Sequence, residues 1–348
     1  MIQYIIFLII ILFCANPVKK EKFNFIDIFI LIILTIFAGI RNGIGTDYYI
    51  YQSLYDNINI SKDALRTGAG YYYFMSFFNN LHFNYHQFLL IVAFITNINI
   101  YYFIKKESDN DNAMKLSFIL YILLGFYISQ FNIMRQMLAF SIVLLSLHFL
   151  KNKKIFLGIV LAIMGCLIHY TMLAFALITI FSYLFLNKKL SIGIMSILTV
   201  TLLLDFGKFY NFIVSHILFI NGYGNFDESF NSGIGTILMV VFYLFWVISI
   251  EFLVNKKLFE KKENIKIINI FYIGVSLLII SMKNVMFGRI ASSFFFFIIF
   301  IIPKILDNIK IKENQVKYIS AIDIGISIVY YFMSIYYFNG VFPYQTFL

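Results

Sequence analysis

Charge is scarce in this chain. Only 13% of its 348 residues are Asp, Glu, Lys or Arg, 61% are hydrophobic, and the mean hydropathy is +0.86. A soluble globular domain of this length needs a charged surface, so that class is excluded. Cysteine is almost absent: Cys14 and Cys166 both lie in apolar runs, and they give neither a disulfide framework nor a metal-ligand spacing. Walker loops, zinc-spaced histidines and nucleophile elbows are missing. "GIGTDYY" is not a dinucleotide fingerprint, because no strand precedes it. The opening "MIQYIIFLIIILFCANP" lacks the positive n-region of a signal peptide and reads as a retained first membrane helix. The alternation of a membrane β-barrel is missing too, as "SSFFFFIIFII" shows.

What is present is a series of apolar runs of membrane-crossing length. The fold class is therefore all-α, a polytopic integral membrane protein forming one membrane domain over 1–348. Polar breaks predict about twelve transmembrane helices, with cores at 2–16, 24–40, 86–104, 116–130, 132–150, 155–168, 170–186, 190–206, 236–254, 265–282, 286–302 and 318–338. The 155–186 stretch is too long for one crossing of ~20 residues and carries lysines on both flanks, so it reads as a down-and-back pair.

A net charge of +10 suggests a nucleic-acid partner in a soluble protein; here it marks the cytoplasmic side, and no nucleic acid is expected. Alternate breaks hold 20 of the 27 basic residues, all lysine. The other seven, Arg41, Lys62, Arg66, Arg135, Lys208, Lys283 and Arg289, fall on the opposite side. The positive-inside rule then places both termini outside the cytoplasm, with outer loops at about 41–85 and 207–235.

Arginine is rarer still: the chain has four, and every one is on the outer side. Lysine is the ordinary charge here, so a retained arginine points to a need for a planar, permanently charged fork of donors. Arg135 sits inside its span in "QFNIMRQMLAF", and Arg289 at the mouth of another in "MFGRIASS". The same side collects Tyr48, Tyr49, Tyr51, Tyr55, Tyr71, Tyr72 and Tyr73 in the first loop, and His169 at the turn "GCLIHYTM". An interfacial aromatic belt explains a lone tyrosine. Aromatic faces beside hydrogen-bonding groups also suit a sugar. The second loop contains "FYNFIVSHILFI", which reads as an interfacial amphipathic helix. Asp47 is the acid that stands out; Asp56 and Asp63 read as solvated. Asp27, Glu251 and Asp323 lie in or near spans, as helix-end or interhelical partners.

With "RNGIGTDYYIYQSLY", "FNIMRQMLAFSIVL", "IHYTMLAF", "FGRIASSFFFFIIFIIP" and "VFPYQTFL" in that order, the chain resembles the EpsG family, Wzy-like polymerases of bacterial exopolysaccharide and capsule. "RNGIGTDYYIYQSLY" resembles its Arg-x-x-x-Gly-x-Asp-Tyr signature, and "FNIMRQMLAFSIVL" its Arg-Gln-x-x-Ala helix, with Arg135, Gln136 and Ala139. "IHYTMLAF" resembles its histidine turn, "FGRIASSFFFFIIFIIP" its late arginine helix, and "VFPYQTFL" its closing Pro-Tyr, with Pro343 and Tyr344. One departure is "TGAGYYYFMSFF", which has no acid before Gly70 and Tyr71.

The resemblance implies a membrane glycosyltransferase in the bacterial cytoplasmic membrane, with its active site facing outward. Its substrate would be an undecaprenyl-diphosphate-linked oligosaccharide, with a flippase and a chain-length regulator as partners. The growing glycan would pass to a new lipid-linked repeat unit, and the diphosphate would leave. Arg41, Arg135, Arg289, Lys283, Gln136 and Tyr48 are the expected binding residues. Arg41 would face the diphosphate from its helix end, and Tyr48 would stack on sugar. His169 and Asp47 are the candidate bases, Asp47 alternatively orienting Arg41 or a hydroxyl. No cofactor and no metal are expected, since the acids are scattered. The rival readings are a flippase for the same lipid-linked unit, and an outer-face ligase or acyltransferase. A transporter must expose its site to both sides, whereas these residues sit on one.

Reporter fusions after Lys20, Lys106, Lys153, Lys188, Lys262 and Lys312 should read cytoplasmic, and fusions at Leu348 and in the two outer loops external. A cytoplasmic C-terminus would break this topology.

Overall fold

The computed structural model describes residues 1–59, 68–185, 193, 234–253, 262–282, 285–308, 313–338 and 340–347. They form two compact units: Met1–Ala176 with Ile311–Leu348, and Leu177–Lys310. Among the described residues, five helices are long and apolar enough to cross a membrane: Tyr85–Glu107, Asp111–Asn132, Met134–Lys151, Glu263–Ser281 and Phe287–Asp307. Shorter apolar helices accompany them at Ile2–Ala15, Phe25–Gly39, Ile155–Ile168, Gly235–Glu251 and Ile322–Tyr337. The chain is a multi-pass helical membrane protein. The expected core at 190–206, apart from Gly193, and the second outer loop up to residue 233 lie outside the described residues, as do Arg66 and Lys283.

The first unit contains α1 (Ile2–Ala15), α2 (Phe25–Gly39), α3 (Tyr48–Asp56), α4 (Ala69–Asn80), α5 (Tyr85–Glu107), α6 (Asp111–Leu123), α7 (Phe126–Asn132), α8 (Met134–Lys151) and α9 (Ile155–Ile168). It also holds the start of α10 (Thr171–Phe185) and all of α15 (Glu313–Met333), which runs into a π-helical turn at Ser334–Phe338. Packing runs from α2 to α5, from α5 to α8 and from α8 to α9. Helices with apolar surfaces on all sides gain nothing from hydrophobicity within lipid, so close approach is what holds them. Glycine supplies it. A Cβ on Gly39 of α2 would stand 2.4 Å from Leu90 on α5, and one on Gly165 of α9 would stand 2.4 Å from Val143 on α8.

Within 155–186, where a down-and-back pair is expected, the helix breaks at His169–Tyr170. Past the break, Phe175 meets Phe140 of α8 at 5.4 Å between ring centroids. The described residues of the segment expected as the first outer loop are largely helical, forming α3 and α4, whose Tyr55 and Tyr71 pack on Phe88 of α5.

The two ends of the first unit differ in charge. At one end the backbone N–H of Lys20 donates to Asp111 (2.8 Å), and Glu107 at the end of α5 receives His148 (2.6 Å) and Lys151 (3.0 Å) from α8. Here too lies a buried ion pair. Asp27, fully buried, accepts from Lys105 Nζ and from the Tyr101 hydroxyl, both at 2.5 Å, while its other oxygen takes the backbone N–H of Asn24 as part of a capping box. Asp27 is thus the interhelical partner and helix-end residue its position suggested. At the opposite end are Arg41, the start of α5, Arg135 and His169. Both chain ends lie there as well. The Tyr4 hydroxyl donates to the Val341 carbonyl (2.6 Å), and Asn42 N–H to that of Gln345 (3.0 Å).

The second unit contains α11 (Ile234–Leu253), α12 (Lys262–Ser281), α13 (Val285–Phe295) and α14 (Ile298–Asn308). The Tyr272 hydroxyl of α12 donates to Glu251 of α11. Gly274 lets α13 approach, since a Cβ there would stand 2.6 Å from Phe294.

Asp27→Ala should destabilise the protein by about 3–5 kcal/mol, because it strands Lys105 as a buried unpaired charge. A lowered thermal midpoint in detergent checks this; an unchanged midpoint would mean that Lys105 finds water.

Candidate active site

The segment after α2 turns back on itself instead of continuing straight. Gly43 (φ +65°) and Gly45 (φ +96°) both occupy backbone conformations that L side chains rarely adopt. A Cβ on Gly45 would stand 2.2 Å from the Phe131 carbonyl oxygen, so glycine is what lets this turn lie against the junction of α7 and α8. Thr46 fastens it there by donating to Asn132. The first arginine motif and the Arg-Gln motif, some ninety residues apart in sequence, are therefore clasped together.

The C-terminal tail closes the other side. Arg41 and Thr346 form an antiparallel bridge, and Phe347 N–H donates to the Ile40 carbonyl (3.2 Å). The Tyr344 hydroxyl donates to Phe37 O (2.6 Å), with its ring stacked on Phe37 at 4.4 Å and 7°. The closing Pro-Tyr motif is thus a third part of the same corner.

Arg41 is 2% exposed. It does not face outward from the helix end as its position suggested. The fork turns back: Nη1 donates to the Ala38 carbonyl, capping the C-terminus of α2, and Nη2 approaches Met134 Sδ at 3.5 Å. Its Cζ lies 5.1 Å from the Phe131 ring centroid. Among the described residues no carboxylate pairs with it, and Nε has no hydrogen-bond partner. Burial lowers its pKa; the phenols of Tyr85, Tyr48, Tyr127 and Tyr344 surround it. The guanidinium remains a cation regardless.

Asp47 does not reach Arg41. It sits half-buried before α3, with its Oδ1 3.2 Å from the oxygen of the Thr46 hydroxyl that donates to Asn132. Tyr48 is also placed differently from the expectation. It is 2% exposed, so its ring is not offered to a sugar, and its hydroxyl donates to Asn42 Oδ1 (3.2 Å). Burial raises its pKa, keeping the hydroxyl protonated. Its neighbour Tyr49, 66% exposed, is the ring presented at this surface.

Arg135, in the first turn of α8, is half-buried, with its Cζ 5.9 Å from the Tyr71 ring centroid. Gln136 beside it is buried. Tyr71 belongs to α4, which is seated by Gly70: a Cβ there would stand 2.8 Å from Leu167, two residues before His169. That contact gives "GAGYYY" a structural reason of its own. His169 is buried at the end of α9, stacked on Tyr170 (5.1 Å, 17°). Its Nδ1 faces the Thr171 hydroxyl (2.6 Å) and accepts the Thr171 backbone N–H (3.3 Å). Nδ1 is therefore unprotonated, and a neutral His169 carries its proton on Nε2.

In the first unit, then, Arg41, Asp47, Tyr48, Arg135, Gln136 and His169 share one end. Arg289 is exposed on α13 of the second unit, its carbonyl accepting from Ser292 (2.7 Å). Among the described residues no cluster of three His, Cys, Asp or Glu side chains is drawn together. Asn42, Asn132, His86 and Phe347 join the site without having stood out in the sequence. None of them belongs to a spacing pattern, and only the fold brings them in.

A bundle of apolar helices with buried and half-buried arginines, tyrosines and a histidine gathered at one end defines a membrane protein with a cationic, aromatic site. The family follows. The EpsG family model matches residues 24–346, nearly the whole chain, and the protein belongs to the EpsG family. No curated protein and no solved structure shows a significant match.

Gly45→Ala should cost more than Gly43→Ala. The first sets a methyl against a backbone carbonyl, whereas the second meets the terminal hydroxyl of the exposed Tyr49 at 2.5 Å. Each substitution also carries about 1–3 kcal/mol of backbone strain. Thermal midpoints of the two variants in detergent, expected to fall furthest for Gly45→Ala, check the order.

Proposed function

We propose that this protein polymerises lipid-linked oligosaccharide repeat units. The growing glycan passes from undecaprenyl diphosphate to a new repeat unit at the outer leaflet, during exopolysaccharide or capsule synthesis. The observation that carries the reading is convergence. Four of the five stations resembling the EpsG family, those of Arg41, Arg135, His169 and Tyr344, meet at one end of the first unit. They are scattered over three hundred residues of sequence.

The chemistry asks for fixed positive charge where the diphosphate leaves. Arg135 is half-buried at the helix start and suits direct contact with it. Arg41 lies beneath and adds a charge that no carboxylate among the described residues cancels. His169 carries its proton on Nε2, so in this reading it donates a hydrogen bond to the leaving oxygens or to a sugar hydroxyl. Asp47 orients an acceptor hydroxyl at the rim. Arg289 and Lys283 are further candidate substrate-binding cations, named from the sequence. The arginines take the neutralising role a metal would otherwise fill, and the site faces outward, where the lipid-linked units are presented. A chain-length regulator and a flippase work beside it.

The test is the purified protein in liposomes with lipid-diphosphate-linked repeat units as the sole substrate. The wild type should build a ladder of lengthening glycans. Arg135→Lys, which keeps the charge and loses the fork, should slow the reaction by about 10²–10³-fold. In cells that variant should accumulate single repeat units at unchanged protein level. No ladder from the wild type, or wild-type rates from Arg135→Lys, would overturn the reading.

A further inference from the structure

At the same end as Arg41, a second histidine stands in the first turn of α5. His86 follows the capping box of Asn84 and Gln87, which holds the start of the helix (2.9 Å each way). Two elements hold its ring. The C-terminal tail lays Phe347 over it, with centroids 4.1 Å apart and planes 29° apart. From α3, the Tyr48 hydroxyl faces Nδ1 at 3.5 Å. His86 is half-buried.

The tautomer follows from a proton count. The Tyr48 hydroxyl has one proton, and it goes to Asn42 Oδ1. With the Asn42 amide oriented this way, that oxygen is an acceptor toward His86, and the hydrogen is assigned to Nδ1. The lone pair of the neutral imidazole is left on Nε2. This is the arrangement of a general base: a ring oriented by a partner on one nitrogen and free to take a proton on the other. The contact is long, as base–orienter contacts often are before substrate binds. His169 has the opposite tautomer, since Thr171 donates to its Nδ1.

We infer that His86, oriented by Tyr48 and Phe347, is the base that takes the proton of the acceptor sugar hydroxyl. The inference rests on the polymerase reading. In the step, the acceptor O–H proton moves to His86 Nε2 and the oxygen bonds to the anomeric carbon of the donor glycan. The bond from that carbon to the diphosphate oxygen breaks, and its electron pair leaves with the diphosphate toward the arginines. The proton is then returned to water. Besides Tyr48, the groups around His86 are Tyr85 on its own helix and Asp56 at the end of α3. Asp56 is raised by burial and lowered again by the His86 charge. From the tail the facing group is the uncharged Phe347. The tail thereby contributes to the base itself, because without Phe347 one wall of the imidazole is gone.

The experiment uses the liposome ladder assay. His86→Ala should lower kcat by about 10²–10⁴-fold with little change in KM. Added imidazole should restore part of the rate, and the fall in wild-type rate toward acid pH should vanish from the variant's residual activity. Imidazole rescue is a readout that a structural histidine would not move. A His86→Ala rate within threefold of wild type overturns the inference, as does a loss that imidazole leaves untouched in both His86→Ala and His86→Gln. An acid limb that persists in His86→Ala but disappears in Asp47→Asn assigns the base to Asp47 and overturns it too. Failure of the wild type to make a ladder would instead strike the polymerase reading.

Discussion

The first unit buries two cations in very different ways, and the difference organises it. At the lysine-rich end, Lys105 has a carboxylate at 2.5 Å and a tyrosine hydroxyl on that same carboxylate. At the other end, Arg41 is just as deeply buried and has no acid beside it among the described residues. Its charge is met by the Ala38 carbonyl, the Phe131 face and the Met134 sulfur. Such a cation is costly to hold in a low-dielectric interior. It persists because the surroundings are over-determined: α2 ends on it, α7 and α8 break beside it, and the C-terminal tail pairs along it. α2, α7 and α8 each touch the guanidinium through Ala38, Phe131 and Met134, and the tail pairs with the Arg41 backbone through Thr346.

That arrangement explains why so many short helices and turns cluster here. Irregular backbone at a membrane surface must have its polar groups satisfied within the protein. The Asn42 N–H, the Ile40 carbonyl and the Phe37 carbonyl are all satisfied by the tail. The tyrosines serve double duty. Tyr4, Tyr127 and Tyr344 give their rings to the aromatic cluster around Phe37, and their hydroxyls to the carbonyls of Val341, Leu34 and Phe37. In the first loop, where the sequence suggests an interfacial aromatic belt, Tyr48, Tyr55 and Tyr71 are likewise interior. The rings that do face outward, such as Tyr49 and Tyr73, are the neighbours of buried ones.

The two histidines at this end show how local bonding assigns chemistry. His169 belongs to a recognisable motif, and His86 does not. Thr171 supplies a backbone N–H to Nδ1 of the first, while Tyr48 leaves only an acceptor for Nδ1 of the second. The neutral imidazole thereby carries its proton on Nε2 in one place and on Nδ1 in the other. Nothing in the residue type distinguishes them.

The sequence by itself determined the membrane class and the apolar helices that the structure describes. These follow from the transfer energetics of single side chains, which need no partner to be read: an apolar run of sufficient length must be a helix in lipid, and its break at His169 shows in the lysines on either side. It also marked Arg41, Arg135 and His169, because rare residue types stand out against a monotonous background. Only the tertiary structure decided which of these meet and what each faces. Arg41 turns inward because Gly43 and Gly45 reverse the chain against Phe131, and Tyr48 is buried because α3 folds onto α5. His86 enters because a tail more than 250 residues away stacks on it. Those outcomes depend on contacts between distant segments, and a contact between distant segments has no local signature in the order of residues.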